Sequence, residues 1–158
     1  MPKRAGFWSL IAAQFQGAFS DNVYRALVIF LLIGAGASRD ESYRMGELVS
    51  ALFSLPYILF SMAGGWLADR YSKRSVTVAT RAVGLAVMSV ALVGLARGDR
   101  SILLLAVFLV GVQGALFGPS KYGLLPELLP HADLSWGNGV LELGTFLAII
   151  LGTVGGSA

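Results

Sequence analysis

Gly65-Trp66-Leu67-Ala68-Asp69-Arg70-Tyr71-Ser72-Lys73-Arg74 is a short charged segment between two long apolar stretches of the chain. Because so few polar residues cannot separate two membrane-crossing spans widely, the flanking helices are predicted to be antiparallel neighbours. We call residues 65–74 the hinge. Its position between two apolar stretches predicts that the chain crosses a membrane at least twice.

Each residue type in the hinge has a predicted role. Gly65 lacks a Cβ atom, which would let the backbone of a second helix approach closely. Asp69 could accept hydrogen bonds from a helix N-terminus or pair with an arginine. The basic side chains Arg70, Lys73 and Arg74 would hold the turn at an anionic membrane surface. Contacts of this kind could form in one conformational state of the protein and break in another.

Composition indicates that the solvent of this chain is lipid. Of its 158 residues 56% are hydrophobic and 13% are charged, whereas soluble domains contain about 25% charged residues. A soluble chain of this size has too little interior to hide so much apolar surface.

The net charge of +3 is spread over the loops, so no nucleic-acid partner is predicted. With no cysteine and no metal-binding or nucleophile motif, we expect no metal, no cofactor and no enzyme activity.

Five membrane spans can be drawn, each close to the ~20 residues that a helix needs to cross a bilayer. They are residues 7–36, 45–68, 75–96, 101–119 and 136–156. The predicted fold class is therefore an all-α, polytopic membrane protein. Lysine and arginine favour the side of the amino terminus and the hinge, which the positive-inside rule assigns to the cytoplasm. That side carries Lys3, Arg4, Arg70, Lys73, Arg74 and Lys121, and the other side carries Arg39, Arg44, Arg97 and Arg100.

The first span is the most polar one, and its polar residues share one helical face. Gln14, Gly17, Asp21 and Arg25 recur at spacings of three and four, so they can point together into a bundle. Asp21 would lie near the middle of the bilayer, where an ionisable group is costly unless it faces protein or water. We therefore predict that Asp21, Asn22 and Arg25 line a substrate pathway. The alternative is that Asp21 and Arg25 neutralise each other as a packing pair.

The fourth span repeats part of the first. Gln16-Gly17-Ala18-Phe19 in span 1 is echoed by Gln113-Gly114-Ala115-Leu116-Phe117 in span 4. Inverted repeats of three helices would place the two spans in corresponding positions beside a binding site. Gln113 therefore joins the predicted substrate-binding residues.

Gly118 and Pro119 predict a break at the end of span 4, since proline removes a backbone donor. Lys121 and Tyr122 would then lie on an irregular segment beside the cavity. The alternative is that Lys121 is a snorkelling anchor at the membrane interface. Glu142 would lie about 9 Å into span 5 at 1.5 Å per residue. It needs a basic partner, for which Lys121 and Arg81 are the candidates.

The hinge pattern G-x-L-A-D-R-x-x-K-R resembles the loop between helices 2 and 3 of the major facilitator superfamily. Ser72 stands where a second glycine is usual in that loop. Two further stretches resemble a narrower group, the lysophospholipid transporters and the transporter modules fused to glycerophospholipid acyltransferases. They are residues 14–22 (QFQGAFSDN) and 117–127 (FGPSKYGLLPE), and the pattern around Asn138, Glu142 and residues 145–152 is similar to the same group.

The resemblance implies a carrier that moves lysophospholipids across the bacterial inner membrane towards the cytoplasmic leaflet by alternating access. A superfamily half has six helices and a transporter twelve, so the chain resembles the first five helices of an amino-terminal half. The expected partners are the lysophospholipid, the lipid bilayer and a missing carboxy-terminal half.

Two alternatives stay open at this point. A proton-coupled drug antiporter of the same superfamily usually has an arginine where this chain has Val110, and a Gly-Pro pair in helix 5 that is absent here. The chain could also be the membrane module of a bifunctional acyltransferase. Its lone His131 lacks the H-x-x-x-x-D spacing of such enzymes, since residue 136 is Trp136. Under this alternative, the acyltransferase active site would lie in a domain fused downstream, which is a further expected partner.

Overall fold

The computed structural model describes residues 2–33 and 38–157. Five long helices account for nearly all of them: α1 (Pro2–Ile33), α2 (Arg39–Arg70), α3 (Lys73–Arg97), α4 (Arg100–Leu128) and α5 (Leu134–Ser157). A single 3-10 turn, His131–Asp133, separates α4 from α5. The described residues contain no strand, and the predicted all-α fold class is confirmed.

Side-chain caps begin three of these helices directly after short connections. Ser38 accepts a hydrogen bond from the backbone of Glu41 at 3.2 Å, and the Glu41 carboxylate accepts one from the Ser38 backbone at 2.8 Å. Ser72 caps α3, and Asp99 caps α4 by accepting from the Ser101 backbone at 2.9 Å. Such caps satisfy backbone donors that the first helical turn leaves free. They explain why long helices can follow one another with so few residues between them.

Four helical segments are long and apolar enough to cross a membrane: Arg39–Arg70, Lys73–Arg97, Arg100–Leu128 and His131–Ser157. Helix α1 is not among them, because glutamine, asparagine and charged residues interrupt its apolar sequence between positions 14 and 25. That α1 forms the first membrane span, residues 7–36, stays a prediction. Its last three predicted residues, 34–36, lie outside the described part of the chain.

Helix α4 is the main packing partner of both α2 and α3, while α1 packs chiefly on α5. Helices α2 and α3 are joined by the hinge but hardly contact each other along their length. Each of the two helices buries its inward face against α4 and not against the other. Their antiparallel arrangement stays a prediction.

A close helix approach is found at Gly64, one position before the approach predicted at Gly65. A Cβ atom on Gly64 would lie 2.6 Å from the carbonyl oxygen of Ala115 in α4, so only glycine fits there. Gly65 has open space where its Cβ would be. The close approach predicted for Gly65 therefore stays a prediction.

The predicted break at the end of span 4 is also wrong. Helix α4 continues through Pro119 and Pro126 as far as Leu128. A proline inside a helix removes one backbone hydrogen bond, and packing against neighbouring helices can compensate for that loss in a membrane protein. Lys121 and Tyr122 are consequently held on a regular helix.

Two apolar clusters fill the bundle, and a polar layer lies between them. One cluster packs Tyr24 and Val28 of α1 against α2, α3 and the first half of α4, and the other packs Phe7 and Leu10 of α1 against the second half of α4 and α5. Along α1, the polar residues from 14 to 22 fall between Leu10 and Tyr24. The fold thus confines buried polar groups to the middle of the bundle.

Candidate functional site

A cavity of about 550 Å³ lies in the polar layer and is lined by residues of all five helices. Four charged side chains line it, one acidic and three basic: Asp21, Arg25, Arg81 and Lys121. Its aromatic lining residues are Phe53, Tyr57, Phe117 and Tyr122. The cavity therefore combines a positive charge balance with an aromatic and apolar wall.

Asp21 and Arg25 both line the cavity, but they do not form an ion pair in the described structure. The guanidinium of Arg25 lies 5.0 Å from the centroid of the Phe53 ring in α2, which is a cation–π contact. The packing-pair alternative for Asp21 and Arg25 is therefore wrong. Asn22 is buried and donates a hydrogen bond to the Ala18 carbonyl at 2.7 Å.

Arg81 extends from α3 into the cavity. Its Nη2 donates a hydrogen bond to Oε1 of Gln14 at 3.2 Å, and Nε2 of Gln14 donates to Oγ1 of Thr145 at 3.1 Å. The guanidinium also lies 4.1 Å from the centroid of the Phe117 ring in α4. One side chain on α3 is thereby connected to α1, α4 and α5, and its orientation is fixed by all three.

Lys121 is almost fully buried, with 7% of its surface exposed. Its Nζ lies 3.8 Å from Oε1 of Glu142 in α5 and 4.5 Å from the centroid of the Tyr122 ring. The hydroxyl of Tyr122 donates a hydrogen bond to the same carboxylate oxygen at 2.7 Å. The alternative of a snorkelling interface anchor is wrong for Lys121, because that role needs an exposed amino group.

The structure brings together six of the seven residues predicted to bind substrate. Glu142 is the exception, because it does not line the cavity and reaches it only through Lys121 and Tyr122. Of the two partners predicted for Glu142, the structure selects Lys121. The six lining residues are Asp21, Asn22, Arg25, Gln113, Lys121 and Tyr122.

Sequence reasoning missed Arg81 as a lining residue. A signal was present, since an arginine inside an apolar span usually faces a cavity or a bundle interior. Asp21, Arg81 and Gln113 also line a second cavity of about 210 Å³, together with Gly17 and Met88. Asp21, Arg81 and Gln113 thus line both cavities.

The hinge residues are placed less uniformly than predicted. Lys73 forms an ion pair with Glu127 of α4 at 3.2 Å, and Arg70 lies 5.8 Å from the centroid of the Trp66 ring. Asp69 is exposed and forms no ion pair within the described residues. Arg74 lines a groove between α1, α3 and α4. The switching role of Gly65, Asp69, Arg70, Lys73 and Arg74 stays a prediction.

Comparison with known proteins gives two kinds of match. A family model described as Major Facilitator Superfamily matches residues 10–158. Proteins named Lysophospholipid transporter LplT from Salmonella paratyphi B, Salmonella newport and Salmonella agona are each 34% identical to the chain over 151 residues. The matched region is 96% of this chain and 35% of each relative, so the chain spans about a third of their length. No solved structure matches the chain.

Proposed function

Because the chain belongs to the major facilitator superfamily, we propose that it forms the amino-terminal helices of a secondary carrier for lysophospholipids. The observation that carries this proposal is the charge balance of the large cavity, where Arg25, Arg81 and Lys121 face the single carboxylate of Asp21. The balance stays positive even when Glu142, the partner of Lys121, is included. An anionic substrate group fits such a cavity better than a cation does.

The walls of the cavity suit the rest of such a substrate. A lysophospholipid has one acyl chain and a phosphate-bearing headgroup, so its carrier needs cationic donors beside an apolar surface. Phe53, Phe117 and Ile149 supply apolar surface close to the three cations. The name of the relatives, Lysophospholipid transporter LplT, supports the same substrate class.

The proposed transport runs across the bacterial inner membrane towards the cytoplasmic leaflet, with the amino terminus and the hinge in the cytoplasm. Alternating access requires two halves that rock about a central site. The second half is therefore the proposed partner of this bundle, and the cavity would lie at the interface between the halves. An acyltransferase fused to the same protein stays a prediction.

Uptake of a fluorescent lysophosphatidylethanolamine by spheroplasts that express the full-length protein tests the proposal. We expect saturable uptake that an empty vector does not give and that excess unlabelled lysophospholipid abolishes. The competing function is proton-coupled export of lipophilic cations. Proton-dependent resistance to such cations, together with background lysophospholipid uptake, would replace the proposed function by drug export.

A further inference from the structure

The side chain of Arg81 reaches the cavity through a gap that exists because residue 17 is glycine. Helix α3 packs chiefly on α4, yet the guanidinium of Arg81 lies directly against the backbone of Gly17 in α1. A Cβ atom at position 17 would overlap Nη1 of Arg81. An alanine at this position would therefore force the guanidinium to shift from its place in the cavity wall.

The guanidinium is only partly satisfied by the protein. Nη2 donates to Gln14, whereas the Nε donor is buried and has no acceptor among the described residues. Asp21 lines the same cavities, but no hydrogen bond or ion pair joins it to Arg81 in the described structure. Buried donors normally have partners. The unpaired Nε beside the cavity is available to an acceptor on a bound ligand.

A second cation lies on the same wall. Arg81 stacks over Phe117, and Lys121 follows Phe117 by four residues on α4. Residues four apart on a helix share one face and are separated by about 6 Å along the axis. Both cations line the same cavity, which would let a single phosphate group contact both. A planar guanidinium with several parallel donors suits that geometry better than an ammonium group does.

We propose that Arg81 binds the phosphate of the substrate through Nε and a terminal nitrogen, with Lys121 as the second cationic contact, and that Gly17 admits Arg81 to the site. The inference rests on the proposed function and assigns its phosphate contact. It also gives a role to the partly buried arginine on α3, the helix that contributes least to the cavity.

Three probes distinguish the ligand chemistry in the full-length protein, held in nanodiscs. They are a radiolabelled lysophosphatidylethanolamine, a monoacylglycerol with the same acyl chain, and glycerol 3-phosphate. Wild type should prefer the lysophospholipid over both others. Arg81→Gln and Gly17→Ala should each reduce the preference over monoacylglycerol about tenfold or more, the effect expected for a lost charge-assisted contact. Gly155→Ala, at an exposed glycine with open space around its Cβ position, should leave it unchanged.

The preference is a ratio of affinities, so it does not depend on the amount of folded protein. A double-mutant cycle adds a test of mechanism. If Gly17 acts by admitting Arg81, Gly17→Ala should cost nothing further in the Arg81→Gln protein. Full additivity of the two substitutions would overturn the role given to Gly17.

The outcomes separate the inference from the function on which it rests. A wild type that binds monoacylglycerol as tightly as the lysophospholipid would overturn the proposed function and the phosphate site together. Glycerol 3-phosphate that binds as tightly as the lysophospholipid would overturn the lipid substrate. A wild-type preference that survives in Arg81→Gln would overturn only the assignment of Arg81.

Discussion

Gly64 of α2 lies against the backbone carbonyl of Ala115 in α4, where a Cβ atom would approach to 2.6 Å. That carbonyl is the one that Pro119 leaves without its helical partner, because proline has no N–H to donate four residues back. The closest approach of α2 to α4 thus occurs at the weakened turn of α4. Close packing against α2 thus accompanies a helix that continues through its proline.

Alanine substitution of the adjacent glycines Gly64 and Gly65 should distinguish the effect of close packing on stability from the effect of helix propensity. Gly64→Ala should lower the free energy of unfolding by about 1–3 kcal/mol, the usual effect of overpacking a tight contact. Gly65→Ala has open space and should be neutral or stabilising by up to about 1 kcal/mol. Thermal unfolding of the purified full-length protein in detergent measures both. Equal effects of the two substitutions would contradict the packing described for Gly64.

The side of the membrane that each loop faces can be tested by cysteine labelling, because these 158 residues contain no cysteine. Ser72 and Ser38 are both exposed and lie at opposite ends of α2. With the hinge in the cytoplasm, Ser72→Cys should react with an impermeant thiol reagent only after the membrane is opened. Ser38→Cys should react in intact spheroplasts. The opposite labelling pattern would reverse the topology.

Asp21 should be needed for transport and not for assembly, because it lines the cavity without an ion-pair partner in the described structure. Asp21→Ala should reduce lysophospholipid uptake by at least about tenfold, as expected for a functional ionisable group inside a membrane bundle. Membrane expression should stay close to wild type. Asp40→Ala, at an exposed position in the first turn of α2, is the matched control and should transport normally. Loss of expression with normal uptake per folded molecule would assign Asp21 a structural role.

Substitutions of Lys121 test whether substrate binding needs a positive charge at this second cationic position of the cavity. Lys121→Ala should lower lysophospholipid uptake about tenfold or more, equivalent to ~1.4 kcal/mol of binding free energy. Lys121→Arg keeps the charge and should retain most of the activity. Uptake assays on matched expression levels compare the two variants. If both transported lysophospholipid normally, Lys121 would have no part in substrate binding.

The ion pair between Lys73 and Glu127 is expected to contribute little to stability. Its two side chains are 35% and 53% exposed, and exposed pairs are typically worth about 0–1 kcal/mol. Lys73→Ala should therefore shift the free energy of unfolding by less than about 1 kcal/mol, and high salt should reduce the difference further. Denaturation in low and high salt measures the effect. A larger, salt-independent loss would show that Lys73 acts by packing its stem over Gly123.

Composition and span length were sufficient to predict the fold class, because a chain with so few charges has no soluble way to bury its apolar surface. Helical spacing also predicted one face for Gln14, Asp21 and Arg25, and all three line the cavity. These features depend on one helix at a time. They can therefore be derived from the sequence of that helix alone.

Predictions that depended on two helices were less successful. The pairing of Lys121 with Glu142, which the sequence offered as one of two alternatives, is confirmed. The route of Arg81 past Gly17 and the approach of Gly64 to α4 are set by the relative placement of helices. The break expected at Pro119 failed for the same reason, since a proline that would end an isolated helix is tolerated within a packed bundle. Helix propensity acts locally, and at Pro119 the tertiary contacts of α4 outweighed it.

The position of α4 as the shared partner of α2 and α3 has a consequence for biosynthesis. A ribosome completes α2 and α3 before α4, so the insertion machinery releases two helices that hardly contact each other into the bilayer. Their lasting interhelical contacts form only when α4 follows them. The pair depends during that interval on its own apolar surface and on the anchoring charges of the hinge. A nascent chain that stalls before residue 100 would thus leave two long helices in the membrane without their principal partner.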